Sequence, residues 1–153
     1  HLYTTLGYTE HTVGWLKHLG LDARADGFNP NDMQHPTAVW FTTIFRFLRA
    51  AVIVAFVEEV FWRGFLMRFL LKPDGKYWKI PFGKFSWFSF AAVTTAFVFI
   101  HQPVDYAGAV VYGTLTYIVA VKTKSLAACI VMHAVANLLM GIYALQYAKY
   151  GLW

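Results

Sequence analysis

The chain has little charge, a single cysteine and no initiator methionine. Charged residues make up 14% of its 153 residues, against roughly 25% in ordinary globular chains. The one cysteine, Cys129, lies inside an apolar run, so a disulfide within the chain and a cysteine-based metal site are both excluded. Because the sequence begins at His1 without a signal-peptide pattern, we expect that one or more N-terminal spans precede it.

The chain is rich in apolar residues. Hydrophobic residues make up 58% of the chain and aromatic residues 19%, and they are concentrated in long runs. This composition predicts an all-α, polytopic membrane helical bundle. The net charge is +5, but the basic residues cluster in short segments between apolar runs. We therefore expect membrane lipids with anionic headgroups as the partner, and no nucleic acid.

The apolar runs predict about four membrane spans, at residues 38–71, 85–100, 108–121 and 125–147. The first run is longer than the roughly 20 residues that a bilayer needs. It also carries charged residues, so it is either two helical pieces or one long helix that enters water at both ends. The link between the last two spans, at 122–124, is very short and predicts antiparallel neighbours. Residues 38–153 would then form one membrane-embedded core domain.

Residues 1–37 are polar and predict an extramembrane segment. This segment contains either an amphipathic helix near residues 9–19 or a plain surface loop. Four lysines lie in the loop at 72–84, and Lys122 and Lys124 lie between the last two spans. The link between the second and third spans carries Asp105 and no lysine. The positive-inside rule therefore predicts that the lysine-bearing loops face the cytoplasm.

Ionisable residues within spans are costly, face the bundle interior and usually mark function. Glu59 and Arg63 are one helical turn apart on the same face, which predicts an ion pair between them. Glu58 points about 100° away around the helix and has no partner on its own turn. A buried carboxylate without a partner suits the role of a general base.

Two histidines and an asparagine complete the set of polar residues in the spans. His101 follows Phe97 by one turn and is either a structural or a functional residue. His133 and Asn137 are one turn apart on the same face, and in hydrocarbon they need a shared partner. Hydrolysis of a peptide bond needs a deprotonated water and a stabilised oxyanion. Glu58 with His101 can supply the first, and His133 with Asn137 the second.

These residues form three motifs, EExxxR (Glu58, Glu59, Arg63), FxxxH (Phe97, His101) and HxxxN (His133, Asn137). Their order and spacing over residues 56–138 resemble the CPBP family, which comprises type II CAAX prenyl endopeptidases, bacterial Abi proteins and bacteriocin-processing relatives. The sequence from Ala120 to Gln146 is also similar to the bacterial CAAX-protease-related proteins found alongside exosortase systems.

The resemblance implies an all-helical intramembrane glutamate protease in a membrane, the inner membrane if the source is bacterial. It implies that Glu58 and His101 activate water and that His133 and Asn137 stabilise the oxyanion, while Glu59 and Arg63 would support the first motif. We expect no cofactor. Zinc bound by Glu58, His101 and His133 is the alternative.

A membrane-associated peptide or protein is the expected substrate, without a prenyl group, since most bacteria lack that modification. Two further functions compete with the protease. A non-catalytic membrane scaffold or immunity protein would need none of Glu58, His101, His133 and Asn137. An ion or metal transporter would need a polar path across the whole bilayer, and the span at 108–121 offers only threonines and tyrosines.

Overall fold

Four helices form from the four apolar runs, as the sequence predicts. The structure, a computed structural model, describes residues 27–153 apart from the side chain of Val104. The predicted amphipathic helix near residues 9–19 therefore lies outside the described residues. The helices are α1 (Pro36–Phe69), α2 (Trp87–Phe99), α3 (Tyr106–Thr123) and α4 (Leu126–Gln146). No strand occurs among residues 27–153, so the all-α prediction is confirmed.

Helix α1 is one continuous helix, which decides between the two readings of the first run. It begins at Pro36, a residue suited to the first helical position because its missing N–H would have no partner there. Two segments widen to π-helix, Leu48–Val54 and Val60–Leu66. Such widened turns are rare and frequently lie at functional sites. Both segments flank the pair Glu58 and Glu59.

The shorter helices are bounded by local capping interactions. The hydroxyls of Ser86 and Ser125 accept hydrogen bonds from backbone N–H groups in the first turns of α2 and α4, which satisfies donors that have no partner inside the helix. Helix α3 ends at Thr123, and the left-handed backbone of the following Lys124 (φ 55°) reverses the chain. Helices α3 and α4 pack against each other across this short link, as expected of antiparallel neighbours.

Glycines allow two close approaches between helices. A Cβ on Gly141 of α4 would lie 2.6 Å from Phe47 of α1, and a Cβ on Gly113 of α3 would lie 3.2 Å from Phe97 of α2. The buried core between the helices contains Trp62, Met67, Val93, Phe97 and Tyr117. The outward faces carry many exposed large apolar side chains, which is the surface expected of helices in lipid.

The helices differ in length from the predicted spans. Helices α1 and α4 are long and apolar enough to cross a membrane. Helix α2 has 13 residues, so it is about 20 Å long and falls short of a hydrocarbon core of roughly 30 Å. Its predicted range of 85–100 was too long, because the Ser86 cap starts the helix late and the chain turns at His101.

Candidate active site

Glu59, Arg63 and His133 form one buried hydrogen-bonded cluster. The Oε1 atom of Glu59 accepts from Nη1 of Arg63 at 3.1 Å and from Nδ1 of His133 at 2.9 Å. The side chains of Glu59 and Arg63 are fully buried, and that of His133 is nearly so. The predicted pairing of Glu59 with Arg63 is confirmed. The sequence did not predict that the same carboxylate also orients His133.

Helices α2 and α3 complete the surroundings of this cluster. Nη2 of Arg63 donates to the backbone carbonyl of Gly113 at 3.3 Å, and its guanidinium lies over the ring of Phe97 at 5.2 Å. The ring of Tyr112 meets the imidazole of His133 edge-on at 5.2 Å. Within residues 27–153, Oε2 of Glu59, Nε of Arg63 and the hydroxyl of Tyr112 are buried without a hydrogen-bond partner. The cluster therefore retains unused polar atoms in a buried setting.

His133 and Asn137 do not share a partner, so that prediction was wrong. His133 bonds to Glu59, whereas Nδ2 of Asn137 donates to the backbone carbonyl of Ala50 at 2.8 Å. Helix α4 runs antiparallel to α1, so the next turn of α4 faces an earlier part of α1. One face of α4 therefore binds α1 at two separate levels.

Glu58 lies beside the cluster but is not bonded into it. Its side chain is half-buried, and it makes no hydrogen bond or ion pair within residues 27–153. It is close enough to Arg63 and Tyr112 to interact electrostatically with both. The expected absence of a partner on its own turn therefore agrees with the structure. No hydrogen bond joins Glu58 to His101 or to His133.

His101 is held by its own helix. Its Nδ1 lies 2.7 Å from the backbone carbonyl of Phe97, and its ring contacts the ring of that residue at a tilt of 48°, with the centroids 4.5 Å apart. Because a carbonyl oxygen only accepts, Nδ1 carries the proton and Nε2 of the neutral ring is left as an acceptor. The one-turn spacing of the FxxxH motif thus fixes both the orientation and the tautomer of the imidazole.

Asn137 lines a cavity of about 230 Å³ between α1, α4 and the C-terminal residues. Arg46, Arg49, Gly141 and Trp153 also line it. Arg46 donates to the backbone carbonyl of Trp153 at 2.8 Å. The other five predicted site residues are not in the lining of this cavity. Asn137 is therefore the point at which the cavity and the predicted site meet.

The zinc alternative would need Glu58, His101 and His133 to lie close together. Among residues 27–153, no three His, Cys, Asp or Glu side chains lie together in an arrangement that could hold a metal ion. Glu58, His101 and His133 therefore do not form such a group in this structure.

Comparison with known families decides the relationship that the three motifs indicated. Residues 40–139 match the model of the family described as type II CAAX prenyl endopeptidase Rce1-like. The chain belongs to this family. The match spans more than half of the 153 residues and includes all six predicted site residues. The chain is thus an integral membrane protein with the fold of a peptidase family.

The search of curated proteins and that of solved structures find no match. The relation to the exosortase-associated subgroup therefore stays a prediction. The six motif residues of this chain fall into two groups according to their hydrogen bonds. Glu59, Arg63 and His133 are bonded together, whereas Glu58, His101 and Asn137 are each placed separately.

Two residues of α3 that contact the site were not among the predicted site residues. Tyr112 packs on His133, and the carbonyl of Gly113 accepts from Arg63. The small residues Ala109 and Gly113, four apart, do indicate a close helix approach. This spacing does not indicate which backbone carbonyl the close approach exposes. The hydrogen bond from Arg63 to Gly113 therefore could not be predicted from the sequence.

Proposed function

We propose that the chain is an intramembrane endopeptidase that hydrolyses a peptide bond of a membrane-associated peptide or protein. Membership of a CAAX endopeptidase family supports the reaction class. One observation carries the proposal: of two adjacent glutamates, Glu59 is fully buried and accepts from Arg63 and His133 through Oε1, whereas Glu58 is half-buried and unbonded within residues 27–153. A carboxylate without a partner is available to take a proton from water.

Glu58 is the proposed general base, and His101 assists it. The Nε2 atom of His101 can accept a hydrogen bond from the attacking water, since its Nδ1 proton is held by the carbonyl of Phe97. The proton moves from water to the Glu58 carboxylate as the oxygen attacks the scissile carbonyl. The same proton is then available to the leaving amine.

His133 and Asn137 are the proposed oxyanion donors. Asn137 uses one N–H on Ala50 and has a second to offer. His133 donates Nδ1–H to Glu59, so it can donate to an oxyanion only when Nε2 also carries a proton. Glu59 and Arg63 hold His133 in place and are positioning residues. Removal of one oxyanion donor slows a serine protease by roughly 10²–10³-fold.

The remaining parts of the proposal follow the sequence. We propose a metal-free mechanism, a substrate without a prenyl group, and the bacterial inner membrane as the location. The lysine-bearing end of the bundle would face the cytoplasm, following the positive-inside rule.

The full-length protein in proteoliposomes tests the proposal. Candidate membrane peptides are added, and products are mapped by mass spectrometry for the wild type and for a Glu58→Gln/His101→Asn double variant. We expect a defined new C-terminus with the wild type, none with the variant, and no effect of a chelator. Equal cleavage by both proteins would refute the assignment of residues. Binding without cleavage would favour a scaffold, ion flux that depends on His101 would favour a transporter, and inhibition by the chelator would favour the zinc alternative.

A further inference from the structure

A groove between α2 and α3 lies at the lysine-bearing end of the bundle. We define the α2–α3 groove by its lining residues Phe85, Trp87, Phe90, Thr114, Tyr117, Ile118 and Val121, with Lys122 in the last turn of α3. Its volume is about 300 Å³, which is at the lower end of ligand pockets, roughly 300–1,000 Å³. The groove shares no lining residue with the candidate active site.

Aromatic rings give this groove a fixed shape. Phe85 lies edge-on to Trp87 at 5.0 Å, and Phe90 lies edge-on to Tyr117 at 5.2 Å. The hydroxyl of Tyr117 donates to the backbone carbonyl of Ser86 at 3.2 Å, which fixes that ring against the start of α2. Trp87 is 74% exposed. Tryptophan at the end of a membrane helix is typical of the headgroup level.

Lys122 is the charged residue that lines the groove, and the exposed Lys84 directly precedes the lining residue Phe85. Lys72 pairs with Asp74 at 3.8 Å, and Nζ of Lys124 donates to the backbone carbonyl of Gly83. Lys122 makes no hydrogen bond or ion pair within residues 27–153, although it lines the groove. An apolar groove with an unpaired ammonium group at the headgroup level complements one acyl chain and one phosphate.

We propose that the α2–α3 groove is a binding site for an anionic phospholipid. An acyl chain lies along the aromatic wall and Ile118, and the headgroup phosphate pairs with Nζ of Lys122. The apolar wall accepts a chain from any phospholipid, so Lys122 carries the preference for the anionic headgroup. One lysine near an anionic lipid surface contributes about fivefold in affinity.

Quenching of tryptophan fluorescence tests this site. Full-length protein is placed in phosphatidylcholine vesicles that contain a small fraction of acyl-brominated phosphatidylglycerol, or the same fraction of brominated phosphatidylcholine. The signal of Trp87 is obtained as the difference from a Trp87→Phe variant. We expect brominated phosphatidylglycerol to be enriched about fivefold at Trp87. Lys122→Gln should remove this enrichment.

Lys79→Gln is the matched control, because Lys79 is exposed at the same end of the bundle but does not line the groove. Equal quenching by the two brominated lipids would overturn the proposal. So would an equal loss of enrichment in both lysine variants, since this would indicate general attraction to the surface. Phosphatidylglycerol retained by native mass spectrometry provides a second measurement, which Lys122→Gln should also lower. Neither readout involves proteolysis, so the outcome is separate from the proposed function.

Discussion

Replacement of Glu59 by leucine is expected to be among the most destabilising single changes in the bundle. The carboxylate is fully buried, and its Oε1 atom accepts from both Arg63 and His133. Leucine is of similar size and accepts no hydrogen bond. Arg63 would then keep only its bond to the carbonyl of Gly113 at 3.3 Å.

The cost follows from the two lost bonds. Hydrogen bonds to charged groups contribute roughly 1.5–3 kcal/mol each. Removal of one partner of a buried ion pair costs about 3–5 kcal/mol, because the other charge stays buried without compensation. We therefore expect Glu59→Leu to lower the free energy of unfolding by about 4 kcal/mol. This corresponds to nearly a thousandfold in the folded-to-unfolded ratio.

Unfolding of the purified protein in mixed micelles, followed by circular dichroism, measures this change. Glu58→Gln is the matched control, since Glu58 is half-buried and unbonded, and we expect it to change stability by less than about 0.5 kcal/mol. The Glu59→Leu/Arg63→Met double variant should recover part of the loss, because it removes both buried charges. A loss below about 1 kcal/mol for Glu59→Leu would refute the proposed energetic role of the cluster.

Two further predictions concern packing and orientation. Gly141→Ala should destabilise the protein by about 1–3 kcal/mol, because the new methyl group meets Phe47 at 2.6 Å. In the same unfolding assay Gly108→Ala should be neutral or stabilising, since no atom lies within 4 Å of its Cβ position. Equal changes in stability for the two glycine variants would contradict the close contact between Gly141 and Phe47. A cysteine at Lys76 should react with a membrane-impermeant maleimide from the cytoplasmic side, and one at Gln102, which is exposed in the link before α3, from the other side. Background should be low because Cys129 is buried. The reverse pattern would overturn the proposed orientation.

The helices themselves could be predicted from the sequence with good accuracy. Four apolar runs separated by Pro-, Gly- and Lys-containing links leave few other arrangements, and the short link at 122–124 determines that α3 and α4 are neighbours. The continuity of α1 could not be predicted. Charged residues within an apolar run are compatible both with a break and with burial. The burial of Glu59 and Arg63 depends on partners from α3 and α4.

The structure joins three of the six predicted site residues by hydrogen bonds, and only part of this bonding could be predicted from the sequence. A one-turn spacing places Glu59 with Arg63, and the structure agrees. The same rule predicts that His133 and Asn137 lie on one face of α4, which is correct. Their hydrogen-bond partners on α1 depend on how α4 crosses α1. Contacts between helices are set by the packing of the whole bundle, and a single sequence does not record them. This explains why the bond between His133 and Glu59 was not predicted.

The rate of peptide hydrolysis by Glu58→Gln is the most direct test of the proposed mechanism. Glutamine keeps the size of the side chain but cannot take a proton from water, and loss of a general base typically slows a reaction by roughly 10²–10⁴-fold. We predict a fall in kcat within this range, with the free energy of unfolding of the same sample unchanged. A kcat equal to that of the wild type in a folded Glu58→Gln variant would contradict the assignment of Glu58 as the base.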